Sequence, residues 1–346
     1  MATIREVARR AGVSPITVSR VINDPSAVAE ATRVRVEEAI KELKYVPNML
    51  GQSLRHRRTH TIGLVIADIR NPYYVQVILA VEAVARDRGY DVLLVNTDGS
   101  ADLEMRQLRN LVARQVDGII LAPIYNTPES VDFVQAQGIP ICVMDYAMPD
   151  NEVDVVRSDT DTAATDLTRY VLSLGHRSLM MMTGPESIVT ARERAAGYAR
   201  AITEAGLSLS DNPVHYGSFD PSLSQQAAAA VLTSPTRPTA IVTASNFIAL
   251  GVAHAARSLA IDIPSELTVV TFDAPATQLV LEPFFTCAET PSFDIAETAA
   301  TILFQRIESS PKARAREVLL RTTMSVNRSS AAPPTTSDAQ TPSAVL

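Results

Sequence analysis

Tryptophan is absent from this 346-residue chain, and cysteine occurs only twice. Cys142 and Cys287 stand singly inside apolar, strand-like stretches without a CxxC spacing. Neither a disulfide framework nor a zinc site is expected, and both thiols read as buried and reduced. Long hydrophobic runs are missing too. No apolar stretch approaches the roughly 18 residues of a membrane span, and the first residues have no apolar core of a secretion signal. The expectation is therefore a cytoplasmic protein with no membrane partner. The turn after the first apolar strand, "ADIRNPYY", contains no glycine, which rules out a G-x-G-x-x-G dinucleotide fingerprint there, and neither a P-loop nor a G-x-S-x-G elbow occurs. No enzyme activity, cofactor or metal is expected. Histidines are scattered; His176 follows the helix-ending Gly175 in "SLGHRS" and reads as structural.

What is present begins with an uneven distribution of charge. Residues 1–60 hold 11 Lys+Arg against 6 Asp+Glu, a net of +5, which leaves 20 against 32, or −12, for the remainder. A basic head on an acidic body suggests that the head meets a polyanion. Within the head, Thr3-Ile-Arg-Glu6 forms a capping box, and Ile4, Val7, Ala8 and Ala11 make one apolar stripe that Gly12 ends. Ser14 then caps a second helix that has Pro15 at its first position. In the stretch "VSPITVSRVIND", Val18, Val21 and Ile22 recur at helical spacing and leave the other side chains facing away. Two short helices joined through "AGVS" form a helix-turn-helix, whose second helix enters the DNA major groove. Pro15, Ile16 and Arg20 would then face bases, with Ser14, Thr17, Ser19 and Asn23 placed for bases or phosphates. Arg20 suits guanine and Ile16 a thymine methyl. A helical hairpin inside an ordinary core is the alternative. A third helix, about Glu30 to Lys44, closes the small core with Val36, Ala39, Ile40 and Leu43.

From Thr61 onward, apolar strands alternate with amphipathic helices: "TIGLVIADI", "DVLLVNT", "VDGIILAP", "IPICVMD", "SLMMMTG", "TAIVTAS" and "LTVVTFD". Such continuous apolar strands belong to parallel sheets covered on both faces. The pattern restarts near Asp159, so two Rossmann-like lobes are expected. Ligands of such sheets bind beyond the carboxyl ends of the strands. That places Tyr73, Tyr74, Asp145, Asn246 and Asp273 as candidates at strand ends, with Thr190 and Arg194 on a following helix and Phe219 in "YGSFDP". Acids, amides and a guanidinium for hydroxyls, with aromatic faces for a ring, suit a sugar or nucleoside-like small molecule. Helix capping for Asp145 and Asp273, and packing between lobes for Tyr73, are the competing roles.

The order of "TIREVARRAGVSPITVSRVIND", "YVPNMLGQSL", "TIGLVIADIRNPYY", "VDGIILAP", "SLGHRS", "ARERAAGY" and "VVTFDAP" resembles the LacI/GalR family of bacterial transcription regulators over residues 2 to about 328. The resemblance implies an all-α helix-turn-helix headpiece (1–46), a hinge helix and linker (47–60), and an α/β body (61–328). The body would be of the type I periplasmic-binding-protein kind, with the chain crossing between lobes three times: lobe one about 61–158 and 289–318, lobe two about 159–288 and 319–328. It implies a homodimer on a pseudo-palindromic operator, with Asn48 starting the hinge helix and Leu54 wedged into the minor groove. It also puts Asp145, Arg194, Asn246 and Asp273 at effector-holding positions. Two departures stand out. Asn246-Phe247 replaces the Asn-Asp of many relatives, and Phe272-Asp273-Ala274 replaces Phe-Asp-Asp, which argues for a ligand more apolar than a simple hexose. A ligand-gated repressor of carbohydrate or related catabolic genes is the leading expectation. A transport-system sugar-binding protein, or a regulator gated by a nucleoside, a purine or a protein, is the alternative. The Ser-, Thr- and Pro-rich stretch 329–346 reads as a disordered tail without leucine heptads.

Overall fold

The structure, a computed structural model, describes residues 2–46, 58–123, 128–148, 153–273, 283–308 and 314–334. The chain divides into two compact units, residues 1–59 and 60–346. The expected hinge positions Asn48 and Leu54 lie outside the described residues.

In the first unit, helices α1 (Ile4–Ala11), α2 (Pro15–Asn23) and α3 (Glu30–Glu42) surround a core that includes Val7, Ala11, Val18, Val21 and Val36. The capping box forms: Thr3 N–H donates to Glu6 Oε2 at 2.7 Å, and Glu6 N–H donates to Thr3 Oγ1 at 3.4 Å. Gly12 ends α1 at φ 66°, a left-handed conformation that suits glycine. Ser14 Oγ accepts the Thr17 N–H at 3.1 Å and opens α2. Helix α3 stops at Glu42 rather than Lys44, because Lys44 takes φ 47°, which a right-handed helix does not allow.

The second unit holds two six-stranded sheets. The first has strand order β11-β5-β4-β3-β1-β2, built from β1 (Thr61–Ile66), β2 (Asp91–Asn96), β3 (Gly118–Leu121), β4 (Ile141–Met144), β5 (Asp154–Ser158) and β11 (Glu317–Leu320). The second has order β12-β10-β9-β8-β6-β7, from β6 (Leu179–Thr183), β7 (Val214–Tyr216), β8 (Ala240–Thr243), β9 (Thr268–Phe272), β10 (Thr286–Glu289) and β12 (Thr323–Ser325). The apolar strands follow from two-sided burial. Ile62, Leu64 and Ile66 pack under α4 (Pro72–Asp87) and α11 (Ser292–Glu308), while Val65, Ile119 and Leu121 pack under α5 (Ala101–Ala113) and α6 (Pro128–Ala136). In the other lobe, α7 (Thr160–Ser173) packs on α8 (Val189–Glu204), and α9 (Pro221–Leu232) packs on α10 (Asn246–Ser258). Gly197 makes the first of these contacts possible, since a Cβ there would lie 2.2 Å from Asp161 O.

All pairings are parallel except β10 with β12. Only residues 321 and 322 carry the chain from β11 in the first sheet to β12 in the second, so β12 enters at the carboxyl end of β10, Thr323 opposite Glu289, and runs back along it. Lobe one is further tied by Asp154, 2% exposed, which accepts Arg306 Nε at 2.6 Å and the Arg316 N–H at 2.9 Å. Burial pushes this carboxyl up, but hydrogen bonds from Arg306 and Arg316 outweigh it and hold it below the usual range.

The reading of residues 329–346 as a disordered tail needs correction at its start. Ser329 is fully buried: its Oγ donates to Val269 O at 2.5 Å, and its N–H donates to Phe284 O at 2.9 Å. Ala331 N–H donates to Thr268 Oγ1 at 3.0 Å. Composition predicts solubility of such a segment, but backbone groups left open beside β9 and β10 bind it. Residues 335–346 lie outside the described residues. His176 completes this corner, buried with Nδ1 2.8 Å from Thr239 Oγ1 and Nε2 2.9 Å from Ala331 O.

Candidate functional site

A cavity of about 610 Å³ opens where the carboxyl ends of the two sheets face each other. Its size is that of a small-molecule site. Tyr73, Tyr74, Asp145, Thr190, Arg194, Phe219, Asn246 and Asp273 all line it. Residues from both lobes are thus brought together as the strand-end argument expects.

On the lobe-one side, Asn71 caps α4 by accepting the Tyr73 N–H at 3.1 Å. The cap turns Tyr73 so that its hydroxyl donates to Asp145 Oδ2. The Tyr74 ring meets Tyr73 edge-on, with centroids 5.2 Å apart. Asp145 follows β4 with φ 60°, and Asp273 follows β9 with φ 54°. Both strands therefore end in an aspartate in the left-handed region, a strained conformation that tends to cluster at ligand sites. Burial raises the Asp145 carboxyl to about 6, with the Tyr73 hydrogen bond opposing and the charge of Asp273 adding to the rise. Burial also raises Asp273, against the pull of Arg194 and of the Thr290 N–H that donates to its Oδ1 at 2.9 Å.

Arg194 comes from the second turn of α8 in lobe two. Its guanidinium lies 4.1 Å above the Phe272 ring, its Nε donates to Thr160 Oγ1 at 3.0 Å, and Nη1 donates to Ala244 O. Burial lowers its pKa, while Asp273 and Asp145 pull it back up. The guanidinium is held by Thr160, Ala244 and the Phe272 ring. Asn246, 2% exposed, donates from Nδ2 to Asn71 Oδ1 at 3.2 Å and so bridges the lobes. Its Oδ1 is buried without a hydrogen-bond partner among the described residues. The Phe219 ring lies on Gly184, where a Cβ would come within 2.3 Å of it. Only glycine lets this aromatic wall lean in.

Several lining residues were not singled out from the sequence: Asp68, Asn71, Thr160, Glu193, Asp220 and Ser245. Their signal was present but ordinary, since Asn71, Asp220 and Ser245 are N-caps at strand ends. Capping alone does not tell which caps face a cleft.

On the first unit, Pro15, Ile16 and Arg20 are exposed on α2, with Ile16 at 66%, and Ser19 is half-buried. Arg10 and Arg33 pair with acids of α3, whereas no acid pairs with Arg20 among the described residues. Ser14 and Thr17 are engaged with each other, their hydroxyls 2.9 Å apart, so part of their polar capacity serves the helix cap. Asn23 lies in the last turn of α2. The surface offers apolar Pro15 and Ile16 at the start of the helix and cationic Arg20 about one turn further on.

Among the described residues, no group of three or more His, Cys, Asp or Glu is placed to hold a metal, and no helix is long and apolar enough to cross a membrane. The chain matches two family models: "Bacterial regulatory proteins, lacI family" over residues 3–48, and "Periplasmic binding proteins and sugar binding domain of LacI family" over residues 59–326. It is 34% identical to the ribose operon repressor of Escherichia coli strain K12, over 89% of this chain and 93% of that protein. A solved complex of the transcriptional regulator CelR with cellobiose is 28% identical, with TM-score 0.71, covering 95% of this chain and 100% of the other. The lac repressor dimer bound to operator and the anti-inducer ONPF is 23% identical with TM-score 0.83, covering 96% and 99%, and shares the fold.

Proposed function

The chain belongs to the LacI family of bacterial transcription regulators, and on that premise we propose that it is a cytoplasmic, homodimeric repressor whose grip on operator DNA is set by a small molecule in the interlobe cleft. The observation that carries this is the single cavity that gathers Arg194 with Asp145 of the opposite lobe and Asp273 of its own. Such an arrangement serves a hydroxyl-bearing ligand, because a guanidinium donates to a hydroxyl oxygen while a carboxylate accepts its proton. Tyr73, Tyr74, Thr190 and Phe219 shape the walls, and Asn246 offers its unpartnered oxygen. A sugar or sugar derivative is the ligand class, in keeping with the ribose operon and cellobiose of the relatives' names.

In the headpiece, Arg20 reads a base edge and Ile16 an apolar one, with Ser14, Pro15, Thr17, Ser19 and Asn23 around them. Asn48 and Leu54 are the proposed hinge contacts. A ligand that touches both lobes stabilises one interlobe angle and shifts DNA affinity by its differential affinity for the two states.

The test is fluorescence anisotropy of a labelled operator from the protein's own promoter, at fixed salt, with and without a panel of sugars. The expected result is a shift of tenfold or more with one compound, lost in Arg194→Ala while ligand-free operator binding persists. A shift retained in that variant sinks the cleft assignment.

A further inference from the structure

The cleft carries its charge unevenly. Its lining includes the carboxylates of Asp68, Asp98, Asp145, Glu193, Asp220 and Asp273 against the guanidiniums of Arg70 and Arg194 alone, a formal balance of 2 − 6 = −4. Both arginines already spend part of their donor capacity inside the protein. At the mouth, Asp68 holds Arg70 through two hydrogen bonds of 2.9 and 2.8 Å, and Asp98 and Asp220 add their fields. Deeper, Arg194 is committed through Nε to Thr160 and through Nη1 to Ala244, with its face on Phe272.

Helix starts are the other common seat for a phosphate, since their first N–H groups are open and the helix dipole favours negative charge. Here side-chain caps already take part of that capacity. Asn71 accepts from α4, Asp220 from two N–H groups of α9, and Ser245 from α10. Helix α8 has no side-chain cap, but its Val189 N–H donates to the Tyr146 hydroxyl at 3.2 Å. What the cleft leaves open is acceptors. Asn246 Oδ1 is buried and unpartnered, and Asp145 has only Oδ2 engaged. A buried acceptor without a donor is costly, so a ligand that brings donors gains and one that brings more acceptors loses.

Resting on the effector role proposed for this cleft, we infer that the ligand is unphosphorylated, neutral or cationic, and rich in hydroxyl or N–H donors, and that the cleft rejects the phosphate ester of the same molecule. The walls of Phe219 and Phe247 fit the apolar face of a sugar or nucleoside ring. The selection lies in the acidic lining and not in shape alone.

Isothermal titration of the full chain with matched pairs tests this: D-ribose with D-ribose 5-phosphate, D-glucose with D-glucose 6-phosphate, and adenosine with adenosine monophosphate. In any pair that binds, the phosphorylated member is expected to bind at least a hundredfold more weakly at low salt. Asp220→Asn keeps the helix cap and removes one charge, and it should narrow that ratio several-fold. A phosphorylated member that binds as tightly as its parent overturns the inference, and so does a ratio that Asp220→Asn leaves unmoved. If no member of any pair binds while the protein still holds its operator, the cleft's effector role falls and takes the inference with it.

Discussion

Asp145 shows how one side chain joins fold and site. An unfolded aspartate titrates near 3.8, and burial raises the folded Asp145 to about 6. The folded state therefore holds this proton more tightly than the unfolded chain does. Its contribution to stability is fully present below 3.8 and is lost as pH rises through about 6. Asp145→Asn should remove that loss, so the variant gains on the wild type by ~2–3 kcal/mol between pH 4 and pH 7. Thermal denaturation across that range checks it, and parallel curves for the two proteins would contradict it. The proposed effector role would account for the cost of keeping this charge in the cleft. Asp154 is the contrast. It is more enclosed than the half-buried Asp145, yet Arg306 and Arg316 hold it ionised, so it serves to fasten β5 to α11.

At the scale of elements, α2 is held by its buried face and leaves the other face free. Val18 and Val21 fix it against α1 and α3, and Ser14 fixes its first turn. Arg20→Ala then changes recognition without touching the core. It should cost about 1–3 kcal/mol of operator binding and relax preference at one base position, as read by competition with single-base operator variants. Unchanged affinity and specificity would place the reading face elsewhere. The helices of the body were legible for the same reason: each buries one face on a sheet, and the period of the apolar residues reports it. The ends were less legible. Lys44 stops α3 through a backbone angle, and β12 runs antiparallel because of a connection length, neither of which hydrophobic period records.

For the whole molecule, the correction at the C-terminal end has a measurable consequence. Compared with truncation after residue 334, truncation after residue 328 also removes Ser329 and its bonds to Val269, Phe284 and Thr286. Losing buried partners costs about 1–3 kcal/mol each, so the shorter chain should unfold several degrees lower in a thermal scan. Equal melting of the two would return this segment to the tail.

The amino-acid order by itself determined the helix-turn-helix, the doubly covered strands and the ring of polar residues at strand ends, because each is written in local period, caps and turns. Tyr73, Asp145, Arg194, Asn246 and Asp273 could be named that way, since a strand's carboxyl end is a position along the chain. Only the tertiary structure decided that Asn71 meets Asn246 across the lobes, that Gly184 yields to Phe219, and that six acids gather around one cleft. Those contacts join residues far apart in sequence, and their energy depends on distance and burial, which a linear pattern does not contain.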